Sequence, residues 1–165
     1  MKINDNKLST VKTFFLKELS AFEEAKLYFE ICCYSWLGMS KTSLLLDKDR
    51  VLSESEILKF FYGIKSLKKN EPVQYVVGET WFFDLKINLE AGVLIPRPET
   101  EELVDWIINS EKNATSILDI GTGSGCIPLA LKNNLKTSKV SGCDISEKAI
   151  ELAKKNSKDL NLEVN

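Results

Sequence analysis

Ser116-Ile-Leu-Asp-Ile-Gly-Thr-Gly-Ser-Gly-Cys126 is the segment that best predicts the fold of this 165-residue chain. Residues 117–120 are mostly apolar, as in a buried strand, and the glycine-rich loop after them leads into a helical pattern at 126–135. A second strand is predicted at 139–143 and a second helix at 146–160, with Ser146 as its N-cap. Glu163-Val164 is the expected start of a third strand. This order predicts a parallel β-α-β-α unit.

The loop between the first strand and the first helix has the composition of a ligand-binding loop. Its glycines let the backbone turn sharply and let a ligand approach it closely, and amides at a helix start suit a carboxylate or phosphate. Asp144 ends the second strand, where a carboxylate can accept hydrogen bonds from ribose hydroxyls, although it could instead cap the next helix. Asp119 either contacts the ligand or braces the loop. The candidate cofactor-binding residues are Gly121, Thr122, Gly123, Ser124, Gly125 and Asp144.

The spacing of the glycines discriminates between nucleotide cofactors. A dinucleotide fingerprint needs a glycine where Cys126 stands, so a nicotinamide-dependent oxidoreductase is the least favoured alternative. A Walker phosphate loop is excluded because no Gly-Lys-Ser/Thr follows. The Gly-x-Gly-x-Gly pattern, with Asp119 two residues before it, resembles the first motif of class I methyltransferases.

Residues 10–69 are predicted to be mostly helical. Ser20-Ala-Phe-Glu23 and Ser53-Glu-Ser-Glu56 both have capping-box spacing, and Gly38 is a plausible helix stop. The aromatic residues in this region could line a ligand pocket, but their helical periodicity favours the core of a small bundle.

The pattern changes at Pro72. Residues 73–77 are β-prone, residues 81–89 partly alternate, and an apolar run follows at 93–95, which together predict a β-hairpin. Pro98 can then occupy the first turn of a helix that reaches Asn109.

Composition excludes several classes of site. The chain has no histidine, which rules out histidine-based triads and histidine metal sites. Its four cysteines form no Cys-x-x-Cys pair, so neither zinc nor a redox dithiol is expected. The net charge of −2 gives no global footprint for nucleic acid. A polar N-terminus and the lack of a long apolar run predict a cytoplasmic protein without membrane contact.

Three further segments carry a specific resemblance: Pro72-Val-Gln-Tyr-Val-Val-Gly78, then Phe82-Phe83, then Leu94-Ile-Pro-Arg-Pro-Glu-Thr-Glu101. They resemble the linker of the release-factor glutamine N5-methyltransferases, the HemK/PrmC family. The resemblance implies a helical substrate-recognition domain at 1–71, a β-hairpin linker at 72–96 and an incomplete methyltransferase domain at 97–165. The expected fold is therefore α + α/β, with a small helical bundle followed by the first part of a Rossmann-like domain.

The same resemblance implies a reaction in translation termination. S-adenosyl-L-methionine would methylate the glutamine side-chain amide in the Gly-Gly-Gln motif of class I peptide release factors. In the family, Asn-Pro-Pro-Tyr grips this amide, but no such motif occurs here and the last proline is Pro128. The chain is therefore expected to hold the cofactor half of the site and to be inactive by itself. Its first strand would have a neighbour on one side only, which predicts low stability and self-association.

Some assignments stay open. The resemblance implies that Arg97, Glu99 and Thr100 lie beside the cofactor and substrate cleft, whereas the sequence alone is equally consistent with a rigid linker and an acidic helix start. Two other functions are alternatives: an amino-methyltransferase acting on a ribosomal protein or nucleic acid, and a non-enzymatic module that binds a release factor. The oligomeric state is not predicted.

Overall fold

The computed structural model describes residues 5–165, so the first four residues of the predicted helical domain lie outside it. The described chain divides into two compact units, one ending at Val77 and one beginning at Gly78. The first unit is helical, and the second alternates strands and helices, which confirms the predicted fold class. The finer division at 71/72 and 96/97 remains a prediction.

The first unit contains five helices: α1 Leu8–Glu18, α2 Ala25–Leu37, α3 Lys41–Leu46, α4 Glu54–Leu67 and α5 Val73–Val77. Its core is aromatic. Phe15, Phe29 and Phe60 are fully buried, with ring centroids 5.4–6.2 Å apart. The Trp36 ring packs edge-on against Phe60, with 5.1 Å between centroids. These aromatic residues build the bundle core, as their periodicity predicts.

The termini of these helices confirm two of the three predicted signals. Gly38 ends α2 in the left-handed conformation, with φ of 60°. At α4, Ser53 Oγ accepts from the amide of Glu56, whose carboxylate accepts from the amide of Ser53 at 2.7 Å. The predicted box at Ser20 is wrong. The chain makes successive turns there, with the amide of Phe22 bonded to Leu19 O and that of Ala25 to Phe22 O, and α2 begins only at Ala25.

The predicted β-structure at 73–77 is also wrong. The amides of Tyr75 and Val76 donate to Pro72 O, which starts the helical turn α5. Val73 is buried, and Val76 and Val77 pack against the bundle core. Their spacing of three and four residues matches one face of a helix, so burial of this face outweighs the β-propensity of valine.

The second unit begins with a β-hairpin, β1 Glu79–Phe82 paired antiparallel with β2 Leu85–Asn88. Its two turn residues, Phe83 and Asp84, both have positive φ, at 48° and 62°. The predicted strand character of residues 93–95 is wrong. That segment lies beyond the end of β2 and is irregular. The Val93 side chain is buried in a cluster with Ala149 and Leu152.

The rest of the second unit comprises α6 Pro98–Ser110, β3 Ser116–Ile120, α7 Cys126–Asn134, β4 Lys139–Cys143 and α8 Glu147–Leu160. Strands β3 and β4 are parallel, in register from Ser116 opposite Lys139 to Ile120 opposite Cys143. Ser146 caps α8 by accepting from Ala149 N at 3.3 Å, as predicted. No strand forms at Glu163-Val164, but Asn165 makes two backbone hydrogen bonds to β4, at Val140 and Gly142.

The edge of β3 that faces away from β4 has no strand beside it within residues 5–165. Leu118 and Ile120 on this strand are 60% and 80% exposed. In the described part of the chain, no helix is both long and apolar enough to cross a membrane. Nor do the described cysteine and acidic side chains form a cluster that could hold a metal ion.

Candidate functional site

The glycine-rich loop connects the carboxyl end of β3 to the start of α7. Gly121, Gly123 and Gly125 have φ of 81°, 56° and 80°. Residues with a Cβ adopt this left-handed region only at a cost, so the alternation of glycines follows from the backbone path. A Cβ on Gly121 would meet nothing within 4 Å, which leaves open space beside the loop where a ligand could approach.

Most amides of the loop are already bonded inside the protein. Those of Gly121 and Thr122 both donate to Cys143 O, at 2.8 and 2.9 Å, and that of Gly125 donates to Thr122 O at 2.8 Å. The amide of Gly123 donates to Asp144 Oδ2 at 2.8 Å. Within the described residues, the amide of Ser124 makes no hydrogen bond. Of the amides of residues 121–125, only that of Ser124 is therefore free among the described residues to bind a ligand.

Asp144 stands at the end of β4 and holds two backbone groups. Its Oδ2 accepts from Gly123 N, and its Oδ1 accepts from Ser146 N at 2.9 Å. The hydrogen bonds from Ser146 and Gly123 lower the pKa of the carboxyl below its ordinary value. Two carboxylate oxygens offer about four acceptor positions. Asp144 can therefore brace the loop and still accept hydrogen bonds from ribose hydroxyls.

Asp119 lies on β3, just before the loop. Its Oδ2 is buried, and no hydrogen-bond partner for it exists among the described residues. The bracing bond that was one of the two expected roles is therefore not formed by the described chain. A buried acceptor without a donor is unfavourable, so it suits a ligand that brings an N–H or O–H group. With the open space at Gly121, this fits the methyl donor S-adenosyl-L-methionine, which carries hydroxyl and amino groups.

The other candidate loop residues turn their side chains away from solvent. Thr122 and Ser124 are 5% and 2% exposed. Gly142 faces the Thr122 side chain so closely that a Cβ there would lie 2.8 Å from Thr122 Oγ1. Gly125 packs on α8, since its Cβ would lie 3.0 Å from that of Ala153. Thr122 Oγ1 and Ser124 Oγ are, like Asp119 Oδ2, buried and without a hydrogen-bond partner among the described residues. Gly125 has no side chain and can serve a ligand only through the backbone or by shaping the loop.

Cys126 occupies the first position of α7. Although a helix N-terminus favours a thiolate, burial dominates and raises the pKa of Cys126 to about 11. The thiol is therefore protonated near neutral pH and is unsuited to nucleophilic catalysis.

The Pro-Arg-Pro-Glu-Thr segment forms the start of α6. Arg97 is the N-cap residue, Pro98 is the first helical residue, and Glu99 lies in the first turn, where negative charge is favourable. Arg97 and Glu99 are exposed, and Thr100 donates its amide to Arg97 O at 3.0 Å. Within residues 5–165, no hydrogen bond or salt bridge joins the side chains of Arg97, Glu99 or Thr100 to the loop. Their role in a cleft remains a prediction.

Two residues with structural roles in the second unit are given no such role by the sequence, although Glu101 ends the segment that carries the family resemblance. Glu101 Oε1 accepts from the amide of Phe83 at 3.0 Å and so fixes the hairpin turn to α6. Asn156 is fully buried and donates to Ser124 O at 2.9 Å. One signal for Asn156 exists in the sequence, because it follows Ala149 and Leu152 on the apolar face of α8, where a polar residue is unusual.

The first unit has a separate concavity of about 460 Å³ on its surface. It lies between α2, α4 and α5, and it is lined by Trp36, Ser55, Leu58, Lys59, Tyr62, Gly63, Ser66, Val76 and Val77. Leu58 and Tyr62 are 50% and 61% exposed there. The concavity combines apolar surface with one positive charge.

Comparison with known proteins gives matches to both units. Residues 13–78 match the PrmC N-terminal domain, and residues 111–165 match a methyltransferase domain. A release factor glutamine methyltransferase of Bacteroides thetaiotaomicron is 41% identical over 149 residues, which cover 90% of this chain and 54% of that protein. A release factor glutamine methyltransferase of Flavobacterium psychrophilum is 39% identical over 157 residues, which cover 90% of this chain and 55% of that protein. One of Fusobacterium nucleatum is 50% identical over 123 residues, covering 73% of this chain and 35% of its own. The chain spans about half the length of the first two relatives.

Proposed function

Because the chain is related to the release factor glutamine methyltransferases over 90% of its length, we propose that it binds S-adenosyl-L-methionine and serves methylation of a peptide release factor. The acceptor in this proposal is the glutamine side-chain amide in the Gly-Gly-Gln motif of class I release factors. The reaction belongs to translation termination, and we propose the cytoplasm as its place because release factors act there.

The observation that carries the cofactor proposal is the arrangement of the loop and Asp144. A left-handed glycine loop at the carboxyl end of a parallel strand, beside an acidic residue ending the neighbouring strand, is the usual place for a nucleoside ligand. Here the Asp144 carboxylate and the loop are joined directly, by the 2.8 Å bond from Gly123 N.

The chain's own residues would bind and orient the methyl donor. Asp144 would accept hydrogen bonds from the ribose hydroxyls, and Ser124 N would donate a hydrogen bond to the cofactor. Asp119 Oδ2 would receive an amino or hydroxyl donor, and Gly121 would leave room for close approach. When bound, S-adenosyl-L-methionine supplies an electrophilic methyl group on a sulfonium centre.

The acceptor places a second demand on the enzyme. An amide nitrogen is a poor nucleophile because its lone pair is delocalised into the carbonyl. Methyl transfer to it depends on positioning and on electrostatic stabilisation. The Asn-Pro-Pro-Tyr motif that the family resemblance implies for this task does not occur in the 165 residues. We therefore propose that these residues bind the donor but do not transfer its methyl group by themselves.

We assign recognition of the release factor to the helical unit. Support comes from the match of residues 13–78 to the PrmC N-terminal domain and from the exposed apolar surface around Leu58 and Tyr62. Neither the chain's balanced charge of −2 nor the names of its relatives favours a nucleic-acid acceptor.

Calorimetric titration of the 165-residue chain with S-adenosylhomocysteine, the stable product of the donor, tests the cofactor proposal. We expect binding, and no binding of NAD. Asp144→Ala should weaken binding by about tenfold to a hundredfold, as loss of hydrogen bonds to a charged group does. Gly121→Val should abolish it, because a β-branched side chain both strains the left-handed backbone and fills the open space beside the loop. Lys136→Ala, on an exposed turn, is the control and should bind like the wild type.

An assay with radiolabelled S-adenosyl-L-methionine and a class I release factor tests the proposed inactivity and the proposed recognition of the release factor. We expect no label in the release factor with the 165-residue chain, but co-sedimentation of the two proteins that Tyr62→Ala weakens. Label in the factor would contradict the proposed inactivity. Absence of co-sedimentation would contradict recognition by the helical unit, and labelling of a ribosomal protein or RNA would favour the alternative acceptor.

A further inference from the structure

Asn156 is a fully buried polar side chain that uses its whole hydrogen-bonding capacity. It lies on α8 and is 0% exposed. Its Oδ1 accepts from the backbone N and from Nδ2 of Asn88, both at 2.8 Å. Its Nδ2 donates to Asn88 O at 3.1 Å and to Ser124 O at 2.9 Å. An asparagine amide has one acceptor oxygen with two lone pairs and two N–H groups, so every position is filled.

This environment requires an amide. The backbone N of Asn88 can only donate, and the carbonyls of Asn88 and Ser124 can only accept. An aspartate would direct a carboxylate at these two carbonyl oxygens, and an alanine would leave the buried groups without partners. The chemistry of the site therefore explains why a polar residue stands on the apolar face of α8.

Three parts of the second unit meet at Asn156: the last residue of β2, the glycine loop and α8. Asn88 Nδ2 also donates to Asp159 Oδ2 at 3.0 Å, so α8 holds the end of the hairpin at two points. Besides its backbone hydrogen bonds, the loop is held by two side chains. Asp144 binds Gly123 N at 2.8 Å, and Asn156 binds Ser124 O at 2.9 Å.

The peptide group between Gly123 and Ser124 lies between these two contacts. Its N–H, on Ser124, is the loop amide that makes no hydrogen bond within the described residues. Fixing the peptide groups before and after it restricts its orientation, because φ and ψ are the only soft dihedrals available. The peptide group after it is held by Asn156, through Ser124 O, and by the bond from Gly125 N to Thr122 O at 2.8 Å. Asn156 therefore supplies one of the two contacts that fix the direction in which the free amide of the loop points.

We propose that Asn156 is a positioning residue for cofactor binding: it holds Ser124 O so that Ser124 N–H faces the ligand. This inference rests on the proposed function above. Asn156 contacts neither cofactor nor substrate and acts only through the loop.

Asn156→Ala and Asn88→Ala form a matched pair that separates positioning from stability. Asn88→Ala removes the side-chain bonds to Asn156 and Asp159, but it leaves the bond from Asn156 to Ser124. We expect both variants to be less stable than the wild type. Only Asn156→Ala should weaken binding of S-adenosylhomocysteine, by up to about tenfold, the size of effect expected when one hydrogen bond is lost. Lys155→Ala, on the exposed face of α8, should change neither property.

Amide NMR spectra of the ligand-free chain give a second readout. Asn156→Ala should shift the resonances of residues 123–125, and Asn88→Ala should leave them nearly unchanged. Equal binding by Asn156→Ala and wild type, or equal losses in the two variants, would overturn the proposal. If the wild-type chain binds no adenosyl ligand, the proposed function fails, while the spectra still decide whether Asn156 controls the loop.

A measurement on the wild type covers the case in which Asn156→Ala does not fold. The side-chain amide protons of Asn156 should exchange slowly with solvent, and more slowly still when S-adenosylhomocysteine is bound. Exchange that the ligand leaves unchanged would show that the contact is not coupled to binding and would refute the positioning role.

Discussion

Replacing Gly125 with alanine should destabilise the second unit by about 2–4 kcal/mol, because the new side chain strains the backbone and overpacks the contact with α8. Gly125 has φ of 80°, and placing an alanine in this region costs roughly 1–2 kcal/mol. The new Cβ would lie 3.0 Å from Ala153 Cβ and 3.3 Å from Ala153 Cα. Because a Cα cannot move without its helix, this overpacking adds roughly 1–3 kcal/mol. Alanine also lowers the conformational entropy of the unfolded chain, which offsets about 0.4–1 kcal/mol of this destabilisation.

Gly78→Ala is the matched control. Gly78 has φ of 79°, but a Cβ there would meet nothing within 4 Å. It should lose only about 1 kcal/mol, from the conformational terms. The difference between the two variants therefore isolates the packing against α8.

Native-state amide hydrogen exchange of β3 and β4 is the suitable assay, because it reports the opening of the second unit separately from that of the helical unit. Ala153→Gly in the Gly125→Ala background should recover part of the loss, with a coupling of about 1 kcal/mol or more. Equal losses in Gly125→Ala and Gly78→Ala, or no coupling with Ala153→Gly, would refute the assignment of Gly125 to packing against α8.

Three further outcomes are expected. Gly63→Ala should destabilise the helical unit by about 1–3 kcal/mol in urea denaturation, although alanine is the better helix former, because its Cβ would lie 2.5 Å from Trp36 Cη2; a stabilised variant would contradict this packing. Ser53→Ala should cost about 0.5–2 kcal/mol in the same assay by removing the cap of α4, and a loss near zero would show that the box is not formed in solution. The folded-state pKa of Asp144 lies below its ordinary value of 3.8, because Ser146 N and Gly123 N donate to it. Its contribution to stability is therefore present above pH 3.8 and lost as the pH falls through the folded-state pKa; Asp144→Asn should flatten this part of the acid-unfolding curve, and an unchanged curve would contradict the assignment.

The features that the sequence predicts correctly are those fixed by local chemistry. The glycine loop, the stop at Gly38 and the box at Ser53 each depend on residues only a few positions apart. The order of strands and helices from 116 onward follows from hydrophobic periodicity. These signals suffice for the fold class, whereas the cofactor-binding roles of the loop residues and Asp144 stay predictions.

The features that the sequence does not predict depend on contacts between distant segments. Residues 73–77 are helical because their valines pack on a bundle formed by earlier helices, and β-propensity carries no information about that surface. Ser20 and Glu23 have the spacing of a capping box, but the chain turns before α2 begins. Asn156 pairs with a residue 68 positions away in the chain. Such a bond can be found only when the hairpin and α8 are seen together.

The hydrogen bonds of the loop also bear on which ligand it can select. A phosphate site at a helix start needs several free amides that converge on one anion. In this loop the amides of residues 121, 122, 123 and 125 are bonded inside the protein, and only that of Ser124 is free among the described residues. Asp119 and Asp144 add negative charge at the ends of β3 and β4. A pyrophosphate would meet these carboxylates beside Ser124 N and the amides of Cys126 and Ile127 at the start of α7, whereas a sulfonium ligand with hydroxyl and amino donors would meet acceptors. These acceptors support the proposed adenosyl ligand over a dinucleotide, as does the position of Cys126.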